Sequence, residues 1–320
     1  MRSFWIDTDT ASDDAVAILM ALRWHDVRVE GISVVAGNVP VDRGVTNAIY
    51  TAELCRSDVP VHRGAERPLR REPFTGQFFH GPDGMGGMDY RARRGPASRD
   101  AVGALIRAYR EARGELTLVT LGPLTNVALA LEREPELASR VPRCFVMGGA
   151  ACTVGNITPA AEFNIWCDPE AARTVFRSGM PITMVGWEHC RGAANLDDAD
   201  MARLRQLGTP FSTFTLDCNR TATKVNREWL GEPGMGLPDP VTMAIALDPA
   251  VCTRRSTHYV EIACDDELTR GMTVVDERNV AKVEPNPAAW RGVIDRPPAV
   301  DVCWAIDVAR WKSTLYHALE

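Results

Sequence analysis

The chain has 320 residues, 45% hydrophobic, 24% charged and 7% aromatic, a composition that excludes disorder and leaves ample material for a core. The length suits two average domains or one large α/β domain, and no linker divides it, so a single domain over 1–320 is expected. A net charge of −6 gives no long-range attraction for nucleic acid or anionic lipid, although Arg91, Arg93 and Arg94 form a small basic cluster; a neutral small molecule fits this balance better.

The first strand is expected at Ser3 to Asp7, with no export signal ahead of it, and no apolar run reaches the roughly 20 residues that span a bilayer. Nine cysteines without CxxC or CxxxC spacing point to neither a zinc site nor a disulfide framework, so the cytoplasm is the expected compartment. A helix follows, with Ala15, Val16, Ile18, Leu19 and Leu22 on one face, Ser12 placed as N-cap and Asp13 and Asp14 in its first turn, ending near His25.

Further strands are expected at Val29 to Ala36, Leu116 to Thr120, Cys144 to Met147 and Ile182 to Val185. Helices are expected near Val41 to Arg56, Leu124 to Glu132, Pro169 to Arg177 and Asp197 to Gln206. This alternation is the mark of βαβ units, hence an α/β fold with an open, mostly parallel, Rossmann-like sheet flanked by helices. Tyr259 to Ala263 and Met272 to Val275 read as late strands at a sheet edge, and a final helix covers about Ala299 to His317. The segment Arg67 to Pro96, rich in glycine and proline, is too long for a plain connection and reads as an active-site loop.

Asp7, Asp9, Asp13 and Asp14 put four carboxylates within eight residues where the first strand gives way to the first helix, the sheet edge at which α/β proteins bind ligands. The helix dipole accounts for Asp13 and Asp14 as capping-region residues. It does not account for Asp7 and Asp9. Converging carboxylates raise one another's pKa unless a cation lies between them, and an all-oxygen set favours hard Ca²⁺ or Mg²⁺ over zinc.

The run Asp7-Thr8-Asp9-Thr10-Ala11-Ser12-Asp13-Asp14 resembles the N-terminal DxDPGxDD fingerprint of the inosine-uridine nucleoside hydrolase family. Gly37-Asn38, Leu121 to Asn126 (LGPLTN), Met147-Gly148-Gly149, Asn156 to Asn164 (NITPAAEFN) and Asp239-Pro240 resemble further blocks of that family, in its order. The resemblance implies the nucleoside hydrolase fold and a calcium-dependent N-glycosidase of ribonucleosides, acting in nucleoside salvage as a homodimer or homotetramer. It implies that Asp9 is metal ligand and general base, that Asp14, Asp239 and the carbonyl of Leu121 complete the Ca²⁺ site, and that Asp13 accepts a hydrogen bond from a ribose hydroxyl. Asn38, Asn156, Glu162 and Asn164 would hold the ribose hydroxyls and orient the carboxylates, and His80 would approach the base.

Each role has a plainer competitor. Asp239-Pro240 also fits a helix N-cap followed by proline, as does Asp168-Pro169, and Asn156, Glu162 and Asn164 also fit a loop held by its own side chains. Thr10-Ala11 replaces the commoner Pro-Gly of the fingerprint without changing the carboxylate spacing. Pro238 stands where the best-known members carry a histidine as candidate acid for the leaving base. Candidate base contacts are then His80, the run Trp187 to Arg191 with Cys190, and Asn219, Arg220, Asn226 and Arg227; purine and pyrimidine preference stay undecided. Two other functions fit parts of the pattern. Asp7-Thr8-Asp9-Thr10 also reads as the DxDxT motif of haloacid dehalogenase-like phosphatases, with Asp7 as nucleophile, but no later GDxxxD-like motif follows it. The missing histidine suits a non-catalytic nucleoside- or ribose-binding protein.

Overall fold

A computed structural model describes residues 1–112, 114–290, 292–296 and 300–320. Ten strands are β1 (Arg2–Thr8), β2 (Val27–Val34), β3 (Val61–Arg63), β4 (Leu116–Thr120), β5 (Cys144–Met147), β6 (Ile182–Val185), β7 (Cys252–His258), β8 (Val260–Ile262), β9 (Thr273–Val275) and β10 (Val300–Ile306). Eight form one sheet in the order β3-β2-β1-β4-β5-β6-β10-β7, parallel throughout except for the antiparallel edge strand β7. The central strands are apolar and buried on both faces, the pattern that helices on both sides of a parallel sheet impose.

The helices are α1 (Ser12–Arg23), α2 (Val41–Leu54), α3 (Gln77–His80), α4 (Ala101–Glu111), α5 (Thr125–Arg133), α6 (Leu137–Arg140), α7 (Phe163–Cys167), α8 (Pro169–Phe176), α9 (Asp198–Leu207), α10 (Pro210–Cys218), α11 (Arg220–Leu230), α12 (Pro238–Leu247) and α13 (Val308–Leu319). One core packs β1 and β2 against α1, α2, α12 and α13; the other packs the opposite sheet face against α4, α5 and α8. Helix α1 is buried from Ser12 to Ala21, so its acidic first turn is also shut away from water. Five strands expected for the main sheet lie within two residues of their observed limits. The reason is that short apolar runs bounded by polar loops leave little freedom in a parallel sheet.

Three expectations are corrected. Tyr259 to Ala263 and Met272 to Val275 do form strands, but β8 and β9 pair with each other in a separate antiparallel ribbon and do not extend the main sheet. The final helix begins at Val308, because Val300–Ile306 is the strand β10; Ala299 lies outside the described residues. Ser12 is the first residue of α1, whose N-cap is Ala11; the Asp14 carboxylate accepts the Ala11 N–H at 2.9 Å and does the capping work. Strand β7 was not foreseen, since Cys-Thr-Arg-Arg-Ser-Thr-His is mostly polar and exposed, as an edge strand tolerates.

Candidate active site

Strand order reverses between β1 and β4, and ligands of open α/β sheets collect at the carboxyl end of such a switch point. The segments leaving β1, β2, β4, β5 and β6 meet there, and a cavity opens over them, walled by Asp13, Asn38, Leu121, Met147, Trp187 and Asp239 among others. Residues 76–80, inside the long glycine- and proline-rich segment, form part of its wall through Gly76, Phe78, Phe79 and His80, as an active-site loop would.

The carboxylates arrive from two distant pieces of chain. Oxygens of Asp13, Asp14 and Asp239 lie within 4.8 Å of one another, all buried. Asp14 Oδ1 accepts from the Thr8 hydroxyl at 2.5 Å. Asp9 Oδ2 accepts the Asn38 backbone N–H at 2.5 Å, while Asp9 Oδ1 and Asp13 Oδ1 are buried without a hydrogen-bond partner among the described residues. Burial, and then the charge of Asp14, push Asp9 well above the carboxylate range. Asp239 shifts the same way for the same two reasons, with Asp13 adding to them. Burial raises Asp13 and Asp14 to about 6, Asp14 with help from the Asp13 charge. Such a set is costly as it stands, and a hard divalent cation among the oxygens removes both the repulsion and the unpartnered atoms.

The two Asp-Pro pairs part company. Asp168 caps α8, accepting from Ala171 N–H at 3.1 Å as well as from Leu69 and Thr125. Asp239 is the second residue of α12, after its N-cap Leu237 and Pro238, and makes no hydrogen bond through its carboxylate among the described residues. The capping explanation therefore holds for Asp168 and fails for Asp239. Asp7 is also set apart: its Oδ1 accepts from Ser33 and, at 2.8 Å, from Asn126 Nδ2, inside the sheet and away from the cavity wall. Burial raises it to about 7 against those two hydrogen bonds. Asp9 and Asp14 are fully buried and outside the cavity wall as well; Asp7 differs from them in having one oxygen held by the two side chains of Ser33 and Asn126.

Glu162 caps the short helix α7, accepting from Asn164 N–H at 2.8 Å and Ile165 N–H at 3.3 Å, and also from Gly149 N–H at 2.9 Å. Burial lifts its carboxyl to about 7 despite these donors. Asn164 Nδ2 donates to the Leu121 carbonyl at 2.9 Å, and Asn156 Oδ1 accepts from Phe163 N–H at 2.9 Å. These residues do organise their loop, and all of them, with Asn38, also line the cavity.

His80 completes the wall. Its Nδ1 shares a 2.8 Å hydrogen bond with Ser12 Oγ and lies 3.7 Å from Asp13 Oδ1; burial lowers its pKa to about 4, so the ring is neutral near pH 7. Sequence places Ser12 only as a cap, and its link to His80, 68 residues away, carries no local signal. Trp187, Cys190, Arg191, Asn219, Asn226 and Pro238 also line the cavity. Arg220 and Arg227 do not: the first donates to Gly86 O and the second to Pro233 O and Asp198. Phe78 and Trp229, both exposed and neither singled out from sequence, stack at the cavity with rings 6.0 Å apart and 9° from parallel.

A carboxylate-floored cavity at the switch point of a parallel sheet defines an α/β enzyme site with room for a hard cation. The sequence matches the inosine-uridine preferring nucleoside hydrolase family over residues 4–313, and the chain belongs to that family. It is 37% identical over 301 residues to the pyrimidine-specific ribonucleoside hydrolase RihA of Salmonella schwarzengrund (strain CVM19633), covering 93% of this chain and 95% of that one. Its fold superposes on a plant nucleoside hydrolase, PpNRh1, with TM-score 0.89 and 33% identity, over 99% of this chain and 98% of the other. An inosine-guanosine nucleoside hydrolase gives the same TM-score at 30% identity, over 100% and 99% of the two chains. The protein is thus a hydrolase that splits ribonucleosides into base and ribose, and its substrate is a small molecule. No helix among the described residues is long and apolar enough to cross a membrane.

Proposed function

We propose that the ribonucleoside is cleaved over the Asp9, Asp13, Asp14 and Asp239 cluster, with the sugar at the carboxylate end of the cavity and Ca²⁺ as the resident ion. The observation that carries this reading is the convergence of Asp13, Asp14 and Asp239 with unpartnered oxygens on Asp9 and Asp13 beside them. Asp9, Asp14, Asp239 and the Leu121 carbonyl would hold the ion; Leu121 O already accepts one hydrogen bond and has a second lone pair to offer. A bound Ca²⁺ supplies positive charge that orients a water molecule and lowers its pKa.

Asp9 takes up the proton of the attacking water. Its Oδ2 is fixed by Asn38 N–H, which leaves Oδ1 as the accepting atom. As the glycosidic bond breaks, the sugar becomes oxocarbenium-like, and the surrounding carboxylates favour that charge. Asp13 accepts from a ribose hydroxyl, while Asn38, Asn156, Glu162 and Asn164 bind the others or hold the first set in place. Pro238 has no proton to offer the leaving base. His80 does: when the Ser12 hydroxyl donates to Nδ1, the ring proton sits on Nε2, and a neutral imidazole presents it as a hydrogen-bond donor.

A cytoplasmic salvage enzyme, formed from one domain and assembled as a homodimer or homotetramer, is the biological setting this reading carries with it from the family. The deciding experiment is ribose release from a panel of purine and pyrimidine nucleosides, with and without a chelator. Release that a chelator abolishes and Ca²⁺ restores is expected. Chelator-insensitive turnover would remove the ion from the reading.

A further inference from the structure

One wall of the cavity is built on α11 and the residue before it, and it runs from Asn219, beside the acidic first turn of α1, to Trp229. Asn219, Ala222, Val225, Asn226 and Trp229 line the cavity, a spacing that places them on one stripe of the helix. Its two polar members are both amides whose orientation is settled by their partners. Asn226 Nδ2 donates to Asn195 Oδ1 at 2.8 Å and to the Gly234 carbonyl at 2.7 Å. Asn195 cannot be turned round to change this, because its own Nδ2 donates to the Cys190 carbonyl at 2.8 Å and to Glu232 Oε2 at 3.1 Å. Glu232 is held in turn by Arg191 Nε at 3.1 Å and Gly192 N–H at 2.7 Å. Asn219 Nδ2 likewise donates to two carbonyls, Thr215 O at 3.0 Å and Ser12 O at 3.3 Å.

Each side chain therefore has its donors spent on the protein and only Oδ1 left. Among the described residues Asn219 Oδ1 is buried with no hydrogen-bond partner, and Asn226 Oδ1 accepts nothing. A buried amide oxygen without a donor is a cost the fold carries unless a ligand supplies the donor. We propose that Asn219 and Asn226 form an acceptor face that reads an N–H donor on the departing base, and that Glu232 and Asn195 position Asn226 for it. The inference rests on the sugar occupying the carboxylate end, which puts the base against α11. Uracil offers its ring N–H, hypoxanthine its own, and cytosine and adenine an amino group, so the face selects by donor and not by purine or pyrimidine class.

Asn195, fully buried and outside the cavity wall, is a positioning residue. Without it the Asn226 amide is free to rotate and offer N–H where it now offers oxygen.

The test is kcat/KM for uridine against 3-methyluridine and for inosine against 1-methylinosine, in which a methyl replaces the ring N–H. Wild type should prefer the parent nucleoside in each pair. Leucine is close to asparagine in size, so Asn226→Leu or Asn219→Leu meets the same methyl bulk. It removes the acceptor together with the amide's donations to the protein, a loss that both members of a pair share, so the ratio within a pair reads the acceptor and should fall about 10-fold in at least one pair. Asn195→Ala should lower the same ratio, and adding it to Asn226→Leu should lower it no further, whereas a merely structural role would slow both members of a pair alike. Equal wild-type rates on parent and methylated nucleosides overturn the proposal without any variant, as do unchanged ratios in both leucine variants. No ribose release from uridine or inosine by wild type overturns the placement of the sugar, and the proposal with it.

Discussion

The backbone of Gly37 lies flat against the carboxylate of Asp9, so close that a methyl group on Gly37 would overlap Asp9 Oδ2. On the other side Gly122 does the same, with a Cβ there only 2.7 Å from Asp9 Oδ1. The proposed base is thus clasped between two glycines, one after β2 and one after β4. In Gly37→Ala the methyl meets the Asp9 carboxylate and the Pro123 ring, so Asp9 must move to admit it. A displacement on the order of 1 Å costs about 10²-fold in such chemistry, and that loss of kcat/KM with an unchanged far-ultraviolet circular dichroism spectrum is the expected outcome. Full activity in the alanine variant would show that Asp9 need not stay where it is.

Replacing Asp9 itself is the sharper change. Asp9→Asn keeps the shape but loses the proton acceptor at Oδ1, and activity should drop by about 10² to 10⁴-fold, with a further fall if the ion binds less well. Titrating Ca²⁺ separates the two contributions: the part due to the base persists at saturating ion. Turnover within a few-fold of wild type at saturating Ca²⁺ would assign the proton to another group.

Much of this site was legible in the sequence because its residues come in short runs fixed by backbone geometry. Asp9, Asp13 and Asp14 belong to a strand-to-helix turn, and a strand followed at once by a helix leaves few ways to place them. Asp239 was harder, since Asp-Pro describes a cap equally well; only the three-dimensional arrangement separates it from Asp168. The Ser12 to His80 contact spans 68 residues and the Asn226 to Asn195 contact 31, and no local pattern announces either. Strand β7 escaped for the opposite reason, since an exposed edge strand needs no apolar periodicity.

The carboxylate cluster also sets how stability depends on pH and on the ion. In the chelated protein Asp13 and Asp14 titrate at about 6, raised chiefly by burial, against about 4 in an unfolded chain. A group whose folded pKa is raised stabilises the fold below the unfolded value and loses that contribution as pH rises through the folded one. Chelated protein should therefore lose Tm relative to ion-loaded protein between about pH 4 and pH 7. Surface carboxylates such as Asp26 and Asp248, lowered by hydrogen bonds from Arg2 and Arg310, act in the opposite sense but equally in both forms. The gain in Tm on adding Ca²⁺ should be larger at pH 8 than at pH 5, as differential scanning fluorimetry can record. A gain independent of pH would mean that the ion binds elsewhere.

Sugar selectivity gives the last prediction. Of the proposed ribose groups Asp13, Asn38, Glu162 and Asn164 are buried and Asn156 is exposed; Asp13 Oδ1 has no hydrogen-bond partner among the described residues, so a ribose hydroxyl is the donor it lacks. A 2′-deoxynucleoside leaves whichever acceptor faced that hydroxyl dry and unpaired, at about 1 to 3 kcal/mol per group and more if it is charged. Ribonucleosides should accordingly exceed their deoxy analogues by at least about 10-fold in kcat/KM. A 5′-phosphate fares worse, for it brings negative charge toward Glu162 and the aspartates, and the sequence has no GxxxxGK[ST] run to hold it. Base identity should matter less than sugar among bases that carry an N–H donor, since the polar atoms at the carboxylate end outnumber the two acceptors, Asn219 and Asn226. The measurement is a single competition series of uridine, inosine, their 2′-deoxy analogues and their 5′-monophosphates at one Ca²⁺ concentration. Equal rates for ribo- and deoxyribonucleosides would place the sugar away from Asp13, and faster cleavage of the monophosphates would require a cationic subsite that these residues do not form.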